Sequence, residues 1–184
     1  MFFNVTKLFQ VNNVATMSLR RLMYVFIKEL KASETEVFIV ISQLTKDVGQ
    51  TENEMCKANA LRVLTKIIDD LYVQSLEKYL KQAIIDKSNH VVSAALVSLV
   101  NLYKKGGHGL DVVKKMVNEL QDKLINSQDG YVQYQALLIL FELRKNDQMS
   151  ILKMLYSLSQ GKVHSAIAKC QLIRYIKITL IQNP

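Results

Sequence analysis

Residues 36–47, EVFIVISQLTKD, hold five apolar positions in a row, Val37, Phe38, Ile39, Val40 and Ile41, four of them β-branched. Local propensity alone predicts a buried strand there. The rest of the chain is patterned for helices. We read about ten, near residues 1–10, 17–31, 35–48, 53–68, 73–86, 89–104, 110–126, 130–144, 147–159 and 163–181. Gly49, the Gly106-Gly107 pair and Gly161 stand where helix ends are expected. Asp111, Asp129 and Asp147 stand near helix starts, where a carboxylate accepts free backbone N–H bonds.

The helices repeat in pairs. NEMCKANALRVLTKI (53–67), NHVVSAALVSLVNLY (89–103) and GYVQYQALLILFELR (130–144) each carry an Ala-Leu dipeptide mid-helix, at Ala60-Leu61, Ala95-Leu96 and Ala136-Leu137. A small residue at a fixed place lets helix backbones approach closely, and the flanking Leu, Val and Ile fill the space between layers. Two helices per repeat with this spacing predict an all-α fold: a right-handed α-solenoid of HEAT- or armadillo-like pairs over residues 1–184. A lone strand in such a fold has no pairing partner, so 36–47 is expected to be helical against its propensity.

On a wheel at 100° per residue, Val37, Val40, Ile41, Leu44 and Val48 share one broad face, the expected core. Phe38 falls at its edge, beside Ser42 and Thr45, and Ile39 lies nearly opposite, beside Lys46. The surplus apolar surface is therefore Phe38 and Ile39, flanked by Ile41. Either neighbouring helices widen the buried stripe to cover it, or it is left for a partner.

Composition adds limits. The 184 residues are 49% hydrophobic and 22% charged, with six Gly and one Pro, which stands last. That suits a globular helical domain. The net charge of +8 fits an anionic partner or a solvated lysine-rich surface, and the 24 Lys and Arg are dispersed. Cys56 and Cys170 form no CxxC and fit a reducing compartment. The longest apolar runs, LMYVFI (22–27) and ALLILF (136–141), are far short of the roughly 20 residues of a membrane span. MFFNVTKLFQ lacks the basic start of a signal peptide. A cytosolic protein is expected, with any membrane contact peripheral.

No catalytic constellation stands out. His90, His108 and His164 lie in three different repeats without metal spacing. KKGGHG (104–109) follows a helix and lacks the GK[ST] of a phosphate loop, and Gly161-Lys162 is followed by Val163. Asp69-Asp70 and Glu34/Glu36 read as solvated caps. No cofactor or enzymatic activity is expected. A basic helical-repeat protein that reads nucleic acid needs one residue type recurring per repeat, but Lys57, His90 and Tyr131, with Tyr134, do not recur in type.

TKLFQ (6–10), LRRLMYVFIKEL (19–30), SQLTKD (42–47), EKYLKQAIIDK (77–87), AALVSLVNLYK (94–104), DVVKKMVNE (111–119) and VQYQALLILFELRKND (132–147) together resemble the adaptin-like trunk of coatomer gamma subunits, over nearly the whole chain. A looser part of the pattern is also similar to clathrin-adaptor large subunits. The resemblance implies a trunk segment of a longer coat protein, with further helices on both sides. It implies assembly with the coatomer zeta subunit and the other coatomer subunits. It also implies recruitment by a GTP-loaded Arf-family GTPase to the cytosolic face of Golgi membranes and transport vesicles. Aligned on Lys46-Asp47, the implied GTPase contacts are Phe38 and Ile41, with Ser42 and Thr45 on the same side, and Phe3 and Thr6 from the preceding helix. Lys28, Lys46, Lys78 and Lys81 would each add about 1 kcal/mol of attraction to an anionic leaflet if they lie near it.

Overall fold

The computed structural model describes residues 17–29, 34–50 and 53–182. The helix expected at 1–10 lies outside them. Among the described residues the α-helices are α1 Met17–Glu29, α2 Glu34–Gln50, α3 Glu54–Ile67, α4 Glu77–Ile84, α5 Asn89–Lys105, α6 Gly107–Lys114, α7 Val117–Asn126, α8 Gly130–Arg144, α9 Gln148–Ser159 and α10 Ala166–Gln182. A 3-10 helix, Asp70–Leu76, precedes α4, and no described residue is in a strand. The β-branched run is therefore helical, inside α2.

Side-chain caps start several of these helices. Asn53 accepts from the Cys56 N–H at 3.0 Å. Asp129 accepts from Tyr131 at 2.8 Å and Val132 at 3.1 Å. Asp147 accepts from Ser150 at 3.0 Å. Asp111 does not cap; it sits inside α6. The α6 cap comes instead from Asp70, which accepts from the N–H groups of His108 at 3.2 Å and Gly109 at 3.3 Å. Hydrogen bonds from His108, its ring nitrogen included, hold the Asp70 carboxyl below its ordinary pKa. KKGGHG is thus a helix junction, with Gly106 and Gly107 both at positive φ. Gly49, by contrast, is not a terminator: α2 runs through it.

Two expected helices are divided, for a shared reason. The segment expected as one helix at 73–86 opens as the 3-10 helix, which places buried Val73 and Leu76 on one face at three residues per turn. The segment expected as one helix at 110–126 breaks between α6 and α7. There the Met116 N–H bonds the Val113 carbonyl at 3.1 Å, and the tight turn lines up the fully buried Val113 and Met116.

The chain forms two compact units, residues 1–112 and 113–184. In the first, α3 packs on α1 and α5, forming one layer, while α2 and α4 touch each other and pack against α3 and α5 respectively. Helices α2 and α3 thus each meet both their pair partner and the matching helix of the next pair, the packing of an α-solenoid. Ala58, Ala60, Ala94 and Ala95 are all buried, which is how α3 and α5 approach closely. Lys105 closes the C-terminal end of α3, donating to the carbonyls of Lys66 and Ile68, both at 3.0 Å. In the second unit α8 packs on α7, α9 and α10, with Ala136 and Leu137 fully buried.

Gln133 ties the second unit together. Its buried side chain donates to the Leu124 carbonyl at the end of α7 (3.0 Å) and accepts from His164 (3.2 Å) and Ser165 (3.0 Å) ahead of α10. Gln133→Ala strands the buried Leu124 carbonyl and two part-buried N–H groups. It is expected to lower urea-measured stability by about 2–3 kcal/mol. A loss below about 0.5 kcal/mol would show that water or a shifted backbone takes over these bonds.

Candidate functional site

Helix α2 forms because burial on one face outweighs the strand propensity of its residues. Val40, Leu44 and Val48 are buried as the wheel predicts, and Val37 and Ile41 are half-buried. Phe38 keeps 50% of its surface exposed and Ile39 45%. The described neighbouring helices of the first unit leave them partly open.

The exposed surface is larger than the sequence reading placed there. Tyr72, on the 3-10 helix, meets the Phe38 ring edge-on, with centroids 5.2 Å apart and planes at 81°. It is itself half-exposed, and its chain neighbour Leu71 is more so. The helix expected at 73–86 does not include either residue. Of the implied contact residues, Phe38 and Ser42 are exposed, while Ile41 and Thr45 are half-buried. The Thr45 hydroxyl donates to the Ile41 carbonyl at 2.7 Å. Phe3 and Thr6 lie outside the described residues.

On the opposite side of α2 lies a buried polar lock. Asp47 is 6% exposed. One of its carboxylate oxygens accepts from the Arg20 guanidinium of α1, the other from the Tyr24 hydroxyl at 2.6 Å. Burial works against the Arg20 charge, but Asp47, helped by Tyr24, outweighs it and raises the pKa above its ordinary value. Burial first, and then the hydrogen bond to Asp47, push the Tyr24 hydroxyl far above the usual phenol range. Arg20 belongs to the LRRL stretch and Asp47 to the Lys-Asp pair used to align the chain. Part of that sequence signal is therefore structural. The wheel could have found it: Asp47 follows Val40 by seven residues and falls on the core face.

No group of three or more side chains suited to a metal ion occurs among the described residues. No described helix is long and apolar enough to cross a membrane. Cys56 is buried and Cys170 exposed, and no disulfide joins either of them to another described residue. Among the described residues, the arrangement on α2 offers an aromatic and aliphatic contact surface.

The Tyr24 bond sets a pH dependence. The folded state favours the protonated phenol, so its contribution is complete below the ordinary value near 10.0 and is lost as pH rises beyond it. Between about pH 10 and 11.5, the protein should lose urea stability more steeply than Tyr24→Phe, by up to about 1.4 kcal/mol per pH unit. Parallel slopes would mean that Tyr24 ionises as easily folded as unfolded.

Comparison with known proteins agrees with the packing. The family described as Adaptin N terminal region matches residues 1–184. The chain is 46% identical over 174 residues to coatomer subunit gamma of Arabidopsis thaliana, covering 95% of this chain and 19% of the relative. It is 42% identical over 173 residues to coatomer subunit gamma-2 of Homo sapiens, covering 94% and 19%. To the probable coatomer subunit gamma of Caenorhabditis elegans it is 38% identical over 182 residues, covering 99% and 20%. The chain spans about a fifth of the length of these relatives. The family match and the paired-helix packing together show that the chain is an all-α solenoid segment and belongs to the Adaptin N terminal region family.

Proposed function

We propose that the chain is a trunk segment of a coatomer gamma subunit, a non-enzymatic coat adaptor in vesicle transport at Golgi membranes. It needs no cofactor. In this reading residues 1–184 are one stretch of a longer solenoid. It assembles with the zeta subunit and the other coatomer subunits, and a GTP-loaded Arf-family GTPase brings it to the membrane surface. The relatives are coatomer gamma subunits, which favours this reading over a clathrin-adaptor large subunit. The exposed apolar row Ile173, Leu180 and Ile181 on α10 supports further helices packing beyond it.

The observation that carries the GTPase assignment is the half-exposed Phe38 on α2, stacked edge-on against Tyr72. Phe38, Ile41, Ser42 and Thr45 form the proposed contact, with Phe3 and Thr6 contributing from the preceding segment. A small apolar patch with polar neighbours suits reversible readout of switch segments that are ordered only around a γ-phosphate. The nucleic-acid reading lacks such support, because the repeat helices present no recurrent stacking residue.

The test is pull-down of an Arf-family GTPase, locked with GTP or loaded with GDP. Binding is expected only to the GTP form and should fall at least tenfold in Phe38→Asp. Ile173→Asp, also at an exposed position but in the second unit, should leave it unchanged. A Phe38 variant that keeps its helical circular dichroism and binds undiminished would remove α2 from the contact. Binding that ignores Phe38 and collapses with salt in the manner of counterion release would favour nucleic acid.

A further inference from the structure

A second surface feature lies in the other layer of the first unit. A groove of about 480 Å³ runs along α1, α3 and α5. Four cations, Arg21, Lys28, Arg62 and Lys66, line it, and no carboxylate does. Its floor is apolar, with Val25, Met55, Val63 and Val97. Val25 and Met55 remain exposed to solvent.

Arg62 is the informative cation. It is only partly exposed, and burial pulls its pKa below the ordinary value. Among the described residues its guanidinium bonds the Asn59 side-chain oxygen at 3.3 Å, and no carboxylate forms an ion pair with it. A partly desolvated guanidinium without a counter-charge is costly alone and strong once a carboxylate arrives. Lys66 pairs with Glu29 across 3.5 Å, but that pair is exposed and readily exchanged for an incoming anion.

We infer that this groove docks an acidic amphipathic segment of a partner protein, its aliphatic side chains on the Val25–Met55–Val63–Val97 floor and its carboxylates on Arg62 and the surrounding cations. Three features select this occupant. Val63 is buried within the groove, so a flat bilayer surface meets the cations and the exposed Val25 but not Val63. The aromatic residue lining it, Tyr24, is buried and tied to Asp47, so no base can stack there. A small polyanion would leave four apolar floor residues unmatched, whereas a peptide with alternating apolar and acidic positions meets both sets.

The test uses a fluorescein-labelled peptide of alternating Leu-Leu and Glu-Glu pairs, read by fluorescence polarisation against the whole chain. Binding is expected. It should weaken at least tenfold when Gln replaces Glu in the peptide, and at least fivefold when Ser replaces Leu. Arg62→Gln, which keeps a donor for Asn59, should weaken it at least tenfold, Arg62→Lys much less, and the exposed Lys28→Gln severalfold. Met55→Gln should mimic the Ser peptide. Equal binding by folded Arg62→Gln would overturn the proposal. So would equal binding of the Ser and Leu peptides, which would reduce the attraction to diffuse charge. Arg62-dependent binding to phosphatidylserine vesicles without peptide binding would overturn it in favour of a membrane contact. Because Phe38 does not line the groove, Phe38→Asp should leave peptide binding unchanged, so this result and the GTPase result stand or fall separately.

Discussion

The presentation of the α2 surface depends on one buried carboxylate. Asp47 follows Phe38 by nine residues, which at 100° per residue sets the two on opposite sides of the helix. Apolar residues run all the way round the first turns of α2, so hydrophobicity alone orients that end weakly. A carboxylate that must meet Arg20 and Tyr24 of α1 does not share this ambiguity. Leaving it unpaired while buried would cost several kcal/mol, about 3–5 when one partner of such a pair is removed. With Asp47 turned toward α1, Phe38 is turned toward solvent and Tyr72.

The same economy recurs in the second unit, where Gln133 fixes the end of α7 against the approach to α10. In both units the apolar layers supply most of the cohesion, and a few buried polar side chains decide which way the helices face. Helix ends are handled similarly. Asp70 caps α6 from another element, and Lys105 closes α3 from α5. These ties link neighbouring helix pairs where backbone groups would otherwise lack partners.

The all-helical class, the paired repeat and the buried Ala-Leu positions could be read from period and composition. So could the core face of α2 and the apolar surplus at Phe38 and Ile39, but whether neighbouring helices cover that surplus depends on the fold. The long-range polar ties could not. Nothing local marks Asp70 as the cap of α6 rather than Asp111, or Gln133 as buried, since Asp70 stands 38 residues from His108 and Gln133 stands 31 from His164. Tyr72 was missed because the 3-10 turn carrying it has too short a pattern to register as helical. Asp47 is within reach of the sequence: its place on the wheel among Val40, Leu44 and Val48 marks a carboxylate that needs a partner, although the choice of Arg20 and Tyr24 requires the fold.

The central claim, that the Asp47 lock orients α2 and so presents Phe38, is tested most directly by thiol labelling. In a Cys170→Ser background, single Phe38→Cys and Val40→Cys variants report the outward and inward faces of the helix. Labelling at 38 is expected to be at least a hundredfold faster than at 40. Adding Asp47→Leu, under conditions where helical circular dichroism is retained, should shrink that ratio at least tenfold. An unchanged ratio would contradict the account and assign the orientation of α2 to Val40 and Leu44 packing alone.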